Sequence, residues 1–333
     1  MRRLGSSGLE IAPLVLGTNV FGWTADERMA FRLLDAFTER GFNCLDTADV
    51  YLRYIPGNSG GESETIIGNW IAQGGGRRDK VVIATKVGME MGPDQKGLSR
   101  SYIRQAVDAS LRRLKTDHID LYQAHADDET VPLEETLAAF AELIEAGKVR
   151  AIGASNYRPE RLAEALDLSE RLGLPRYESM QPWYNLYDRG MFEGSLEPLC
   201  LDRQVGVISY FGLASGFLTG KYRTEADLEG SARGYRVRAY LNERGMAILE
   251  TLDAIAAELG VAPAQVALAW LMQRPAITAP IASATSLDQL DQLLGAADLV
   301  LSTDQVARLD KASEQAPGTP AAGMDVPPGG QRS

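Results

Sequence analysis

The stretch ADERMAFRLLDAFTERGFNCLDTADVY, residues 25–51, passes from one periodicity to another. From Ala25 to Gly41 the apolar residues recur at spacings of three and four, the pattern of a helix with one buried stripe, and Gly41 is its stop signal. Asn43-Cys44-Leu45-Asp46 then reads as a short strand, and the acid at its end is followed five positions later by Tyr51. The same change of rhythm recurs along the chain. Strands are expected at residues 14–17, 43–46, 81–85, 119–123, 149–154, 179–181, 205–210 and 278–281, with amphipathic helical segments between them. Strict alternation implies right-handed βαβ crossovers and a parallel sheet. About eight such units favour a closed (β/α)8 TIM barrel over an open sheet.

The length of 333 residues fits two average domains or one large barrel, and no break in composition interrupts the alternation. A single domain over residues 1–315 is therefore expected, followed by a Pro/Gly-rich tail, 316–333, without fixed structure. Residues 214–241 are too long and too mixed for an ordinary barrel loop and are expected to reach over a site.

A net charge of −11 argues against non-specific binding to nucleic acid or to an anionic membrane. No apolar run approaches the roughly 20 residues of a spanning helix, and the first residues have no signal-peptide core, so a cytoplasmic location is expected. Cys44 and Cys200, the only cysteines, each stand among apolar neighbours and read as buried free thiols. With two separated histidines they make no metal site.

In a parallel barrel the working residues leave the C-terminal strand ends, where the loops converge on one face. The expected strands therefore nominate Asp46 and Tyr51 after the second, Lys86 in VVIATKVG after the third, and His125 in IDLYQAHADD after the fourth. Taken singly, each has a structural explanation: a cap, a packed ring, a solvated charge. The second histidine, His118, lies just before a strand and reads as packing or solvation. Together the four make chemical sense. A phenol is a poor acid at neutral pH, a nearby ammonium is expected to lower its pKa, and a carboxylate would hold that ammonium in place. A histidine would orient a carbonyl oxygen toward the phenolic proton, which meets the need of an alkoxide forming during hydride reduction.

LDTADVY, IATKVG, LYQAHADD, GASNY at 153–157 and LASGFLTGKY at 213–222 together resemble the aldo-keto reductases. The resemblance runs from RRLGSSGLEIAPLVLGT into ATSLDQL, nearly the whole chain. It implies a (β/α)8 barrel with an N-terminal hairpin and C-terminal helices, binding a nicotinamide cofactor without a Rossmann domain. It implies Tyr51 as general acid/base, Lys86 and Asp46 as its tuning pair, and His125 as the group that orients substrate. For the cofactor it implies Gly17, Thr18 and Asp46 at the rim. Ser155, Asn156 and Gln181 would bind the nicotinamide amide, and Tyr210 would stack on the ring. Leu213, Ala214, Ser215, Gly216 and Leu218 would wrap the pyrophosphate, with Lys221 offering charge to a phosphate. SGFLTGKY is not a P-loop, because Ser215 replaces the first Gly and Tyr222 the Ser/Thr that would bind magnesium.

The chain departs from the family pattern in two places. Phe211-Gly212 follows Tyr210 where many relatives have Ser-Pro. Ser283 and Gln289 stand where lysine or arginine often meets the 2′-phosphate, and Leu293 where asparagine often meets adenine. NADP(H) is the expected cofactor, with NAD(H) open; Arg233 is either a substitute phosphate partner or a solvated loop residue. Trp23, Met89, Trp183 and Tyr184, with Tyr51 and His125, are expected at the substrate pocket. The expected partner is a small carbonyl or alcohol, such as an aldehyde, ketone or sugar; neither direction nor oligomeric state is readable. Two other readings are weighed. One is a non-turnover accessory subunit of a channel, which usually announces itself by an N-terminal extension, whereas this sequence starts directly at the first hairpin. The other is a glycosidase pairing Asp46 with Asp127 or Asp128, which leaves Tyr51 and Lys86 without work.

Overall fold

The structure is a computed structural model that describes residues 1–322. Its ten strands are β1 (Arg2–Arg3), β2 (Glu10–Ile11), β3 (Val15–Gly17), β4 (Cys44–Asp46), β5 (Val82–Val87), β6 (Ile119–Ala124), β7 (Val149–Ser155), β8 (Tyr177–Gln181), β9 (Gly206–Ser209) and β10 (Ile277–Ala282). β1 and β2 form an antiparallel hairpin, and the other eight close into a parallel barrel in the order β10-β3-β4-β5-β6-β7-β8-β9. All eight barrel strands fall where the sequence places them, with ends shifted by one or two residues.

The helices are α1 (Glu27–Glu39), α2 (Glu62–Ile71), α3 (Arg100–Leu114), α4 (Leu133–Glu145), α5 (Pro159–Leu172), α6 (Gly190–Glu193), α7 (Leu196–Asp202), α8 (Gly234–Val237), α9 (Glu243–Leu259), α10 (Pro263–Met272), α11 (Leu287–Gly295) and α12 (Thr303–Ala312). In α1 the Asp26 side chain caps the N–H of Met29 at 2.8 Å, and Ala30, Leu33, Leu34 and Phe37 are buried. The three larger side chains each contribute roughly 1.5–3 kcal/mol by leaving water, which fixes the face α1 presents to the barrel.

Strand alternation explains where the site lies. Val15, Cys44, Ala84, Leu121, Ala151, Ile208 and Ala279 form one apolar cluster with Leu4, Leu9 and Ile11 of the hairpin segment. The hairpin thus closes the N-terminal end of the barrel, and an added Cβ on Gly206 would sit 2.7 Å from Leu4. Two residues further along each strand the side chain faces the same way. The next inward layer is Gly17, Asp46, Lys86, Gln123, Gly153 and Tyr210, an apolar floor with polar chemistry above it.

Residues 214–241 are not a structureless loop: they carry short 3-10 turns and α8, and Phe217 stacks on Tyr240 at 5.3 Å. Residues 316–322 depart from the expectation of a tail without fixed structure. Gly318 donates to the Gly190 carbonyl at 2.7 Å and Ala322 to Asp188 at 2.7 Å, because Gly190 lets the backbone approach closely. The remainder of that expectation, residues 323–333, lies outside the described residues. Cys44 and Cys200 are buried and free. Among the described residues no single helix is long and apolar enough to cross a membrane.

Candidate active site

Parallel register brings the site residues to one level. Gly17 pairs with Asp46, Asp46 with Ala84, Lys86 with Gln123, and Ser155 with Gln181. After β4 the chain turns through Ala48–Tyr51 and enters the left-handed region at Leu52 (φ 71°), a side chain that is itself fully buried. The turn returns the Tyr51 ring over β4. Its hydroxyl donates to Asp46 Oδ2 at 3.1 Å and accepts from Lys86 Nζ at 3.0 Å.

Lys86 is fully buried and spends its protons on Asp46 Oδ1 and Oδ2, both at 2.8 Å, the Thr47 carbonyl at 2.7 Å, and Tyr51. Asp46 also accepts from Gln181 Nε2 at 2.8 Å. Burial lowers the Lys86 pKa from 10.5, with Asp46 acting in the opposite direction. The expected depression of the Tyr51 pKa is reversed here. Burial first, and then the carboxylate of Asp46, push the phenol well above 10, because the phenolate loses water and meets a like charge while the ammonium is already shared with Asp46. Tyr51 is therefore protonated at neutral pH.

His125 Nδ1 is buried without a hydrogen-bond partner among the described residues, and the imidazole lies edge-on to Tyr51 at 6.1 Å between centroids. Burial, followed by the charge of Lys86, holds its pKa well below 6.5, so the ring is neutral. Asn156, at φ 56°, turns its Nδ2 onto the His125 carbonyl at 2.8 Å and to Ser155 Oγ at 3.2 Å. Tyr210 donates to Asn156 Oδ1 at 2.7 Å, and Ser155 Oγ to the Gln181 carbonyl at 2.9 Å. One hydrogen-bonded belt thus links the ends of β7, β8 and β9.

After Tyr210 the backbone is left-handed at Phe211, Ala214, Ser215 and Gly216, the last at φ 99°. The turn that results is held internally, Ala214 N donating to the Phe211 carbonyl at 2.7 Å and Gly216 N to the Leu213 carbonyl at 2.8 Å. Leu218 lies buried behind it, and Lys221 rests its ammonium over the Tyr222 ring at 4.9 Å. Arg233 is not a solvated loop arginine. Its guanidinium lies 5.7 Å over Trp23, with Nη2 buried and unpartnered among the described residues, and Trp23 meets Tyr54 edge-on at 6.1 Å. The contact of Arg233 with Trp23 joins residues 214–241, which follow β9, to the loop after β3.

Other expectations meet the structure less directly. Thr18 Oγ1 bonds the Asp46 carbonyl at 2.8 Å and Ser63 at 2.7 Å, so its hydroxyl braces β4 from a fully buried position. Gly17 has no room for a side chain: an added Cβ would lie 2.7 Å from Ser283 Oγ. Ser283 donates to Asn19 at 2.9 Å, and the Gln289 side chain accepts from Thr285 N at 2.9 Å, bracing the start of α11. Trp183 packs beside Phe211 at 4.5 Å and Met89 is exposed, both at the rim. Tyr184 does not line the pocket: it is fully buried in the outer layer, donating to Glu193 at 2.7 Å and packed on Phe192 and Trp270. Adjacent residues on extended chain face opposite ways, so Trp183 and Tyr184 cannot both reach the rim. Asp127 is paired with Arg161 at 2.9 Å, and Asp128 accepts from Leu98 N at 2.9 Å, which leaves neither as a partner for Asp46 in glycoside cleavage.

Two polar groups escape a reading by strand ends. Gln123 Oε1 approaches Gln181 Nε2 at 3.4 Å while its Nε2 is buried and unpartnered among the described residues; its spacing of two from His125 is the signal that identifies it. Asp49, two residues before Tyr51, has both carboxyl oxygens buried without partners among the described residues. Burial, and then the charge of Glu64, raise its pKa to about 8.

Comparison with known proteins identifies the family. The family model described as "Aldo/keto reductase family" matches residues 13–314. The chain belongs to the aldo/keto reductase family. Its aldo/keto reductase relatives include an uncharacterized oxidoreductase, YrpG, of Bacillus subtilis (strain 168), 37% identical over 92% of this chain and 94% of that protein. A probable voltage-gated potassium channel subunit beta of Arabidopsis thaliana is 33% identical over 90% of this chain and 91% of its own. An L-glyceraldehyde 3-phosphate reductase of Escherichia coli O157:H7 is 31% identical, covering 93% and 91%. Membership in the aldo/keto reductases supports an oxidoreductase role toward small carbonyl compounds.

Proposed function

We propose that this aldo/keto reductase moves a hydride between a nicotinamide dinucleotide and an aldehyde, ketone or sugar-like carbonyl, or the corresponding alcohol, with Tyr51 as the proton donor and acceptor. The observation that carries the reading is the Tyr51 hydroxyl, held at 3.1 Å from Asp46 and 3.0 Å from a buried Lys86 at the open end of the barrel.

The residues present fit a dinucleotide. The partly exposed Tyr210 ring, the amides of Asn156 and Gln181 and the Ser155 hydroxyl suit a flat carboxamide-bearing ring, and the small residues Ala214, Ser215 and Gly216 suit the close backbone approach of a pyrophosphate. The cofactor, when bound, supplies or accepts the hydride. We assign NADP(H), with Lys221, whose Nζ lies 3.8 Å from where a Cβ on Gly216 would stand, and Arg233 as the phosphate partners; NAD(H) is the alternative.

In reduction, the protonated Tyr51 donates its proton as negative charge gathers on the carbonyl oxygen. Lys86, already hydrogen-bonded to that hydroxyl, stabilises the phenolate left behind. Asp46 holds Lys86 without drawing it away, since both of its oxygens and the Thr47 carbonyl fix the ammonium. Neutral His125 donates a hydrogen bond to the substrate oxygen without adding a second positive charge. Trp23, Met89 and Trp183 shape the entrance. In oxidation the same groups run in reverse, with Tyr51 as base.

The test is titration of the protein with NADPH and NADH side by side, followed by turnover on a panel of aldehydes, ketones and sugars. Binding with turnover supports the proposal. A second reading, a nicotinamide-binding accessory subunit, draws on the Arabidopsis relative's name. It would be favoured by tight binding with no turnover on any panel member and no effect of Tyr51→Phe.

A further inference from the structure

Asp188 stands in the connection between β8 and α6 and takes no part in the proposed proton transfer. Its carboxylate, only 4% exposed, gathers four donors from separate parts of the chain. Oδ2 accepts from Trp183 Nε1 at 2.8 Å, Asn185 Nδ2 at 3.0 Å and Tyr240 Oη at 2.9 Å. Oδ1 accepts from the backbone N–H of Ala322 at 2.7 Å. All four donors are neutral, and no ion pair to Asp188 forms among the described residues. A buried carboxylate held by dipoles alone depends on keeping every one of them.

The donors have different duties. Trp183 is part of the aromatic wall at the barrel mouth, 4.5 Å from Phe211 and 5.8 Å from Tyr210 between centroids. Tyr240 stands near the end of the 214–241 segment that follows β9 and stacks on Phe217. Ala322 belongs to the C-terminal segment, which is pinned a second time beside Asp188: Arg189 N and Gly190 N each donate to Gln315 Oε1 at 2.8 Å, and Gly318 N to the Gly190 carbonyl at 2.7 Å. An added Cβ on Gly190 would lie 2.6 Å from the Ala316 carbonyl oxygen and 2.8 Å from Thr319 N, so the close approach is built into the sequence.

Resting on the reading of Tyr51 and Tyr210 as the reaction centre, we propose that Asp188 is a positioning and specificity-determining residue. It locks the Trp183 indole at the pocket wall and makes that position depend on the docking of residues 316–322. A purely structural knot would lower stability on disruption and leave selectivity between substrates unchanged. A positioning role discriminates between substrates that use the wall and substrates too small to reach it.

Two variants separate these cases. In Asp188→Asn the amide oxygen can keep the three donors of the Oδ2 side, while its NH2 faces the Ala322 N–H donor to donor, so the C-terminal contact is lost selectively. Gly190→Ala displaces the same segment without touching the carboxylate. Each full-length variant is compared with the unmodified protein by amide hydrogen exchange, and by kcat and KM for 4-nitrobenzaldehyde and for propanal at saturating NADPH. Expected are faster exchange at 316–322 and at 183–188 together, KM for 4-nitrobenzaldehyde up by about five- to tenfold, KM for propanal within about twofold, and kcat nearly constant. Faster exchange confined to 316–322, or equal changes for both aldehydes, would overturn the proposal. If the unmodified protein turns over neither aldehyde, the reductase reading fails first, and the exchange pattern still decides whether Asp188 couples the two segments.

Discussion

Lys86→Met replaces a buried cation by an apolar side chain of similar length and leaves its partner behind. Asp46 is 2% exposed and would keep only Tyr51 and Gln181 as side-chain donors. Removing one member of a buried pair costs about 3–5 kcal/mol, because the remaining charge is neither hydrated nor matched. At roughly 2.1 cal/mol/K per residue, a 333-residue chain converts that loss to a fall in Tm of about 4–7 °C. Urea unfolding of both proteins, with calorimetry alongside, measures this. A loss under about 1 kcal/mol would refute the assignment of Lys86 as the neutralising partner of Asp46.

Three other perturbations follow from single observations. Asp49, raised to about 8 by burial and then by Glu64, binds a proton on folding, so its contribution makes the unmodified protein less stable as pH climbs from about 4 to 8. Asp49→Asn should flatten that slope in urea unfolding, and an unchanged slope would contradict the buried neutral acid. Gly17→Ala drives a methyl group to within 2.8 Å of Ile281 Cγ2 as well as against Ser283 Oγ, which should cost about 1–3 kcal/mol by overpacking in thermal unfolding. His125, held neutral by burial and then by Lys86, has a folded pKa below its unfolded value, so its contribution to stability is lost as pH falls below about 6.5. Its ring nitrogens should show no protonation between pH 6 and 8 by NMR.

The barrel was legible because each strand is buried on both faces and so reads as a short apolar run, while each helix shows a single stripe. Asp46, Lys86 and His125 were legible for the same reason, each standing at or just past the end of such a run. What was not legible depends on partners far away in sequence. Trp183 and Tyr184 are both aromatic and adjacent, and only the orientation of the strand end tells which faces the rim. Arg233 finds Trp23, 210 positions earlier, so no local pattern could separate it from a solvated arginine. The direction of the Tyr51 pKa shift turns on desolvation and on how completely Asp46 occupies Lys86, both properties of the packed site. Residues 316–322 look like tail by composition, yet Gly190 and Asp188 provide their docking place more than 120 residues away.

The central claim is that the Tyr51 hydroxyl acts in the chemical step and not in holding the cofactor. Tyr51→Phe keeps the ring and removes only the group bonded to Asp46 and Lys86. Cofactor Kd and kcat of this variant, measured on one preparation with the best substrate of the panel, decide it. The account predicts Kd within about twofold and kcat lower by about 10²–10⁴, the range lost with a general acid. A kcat within a few-fold of the unmodified protein, or a loss of cofactor affinity as large as the loss of rate, would contradict it.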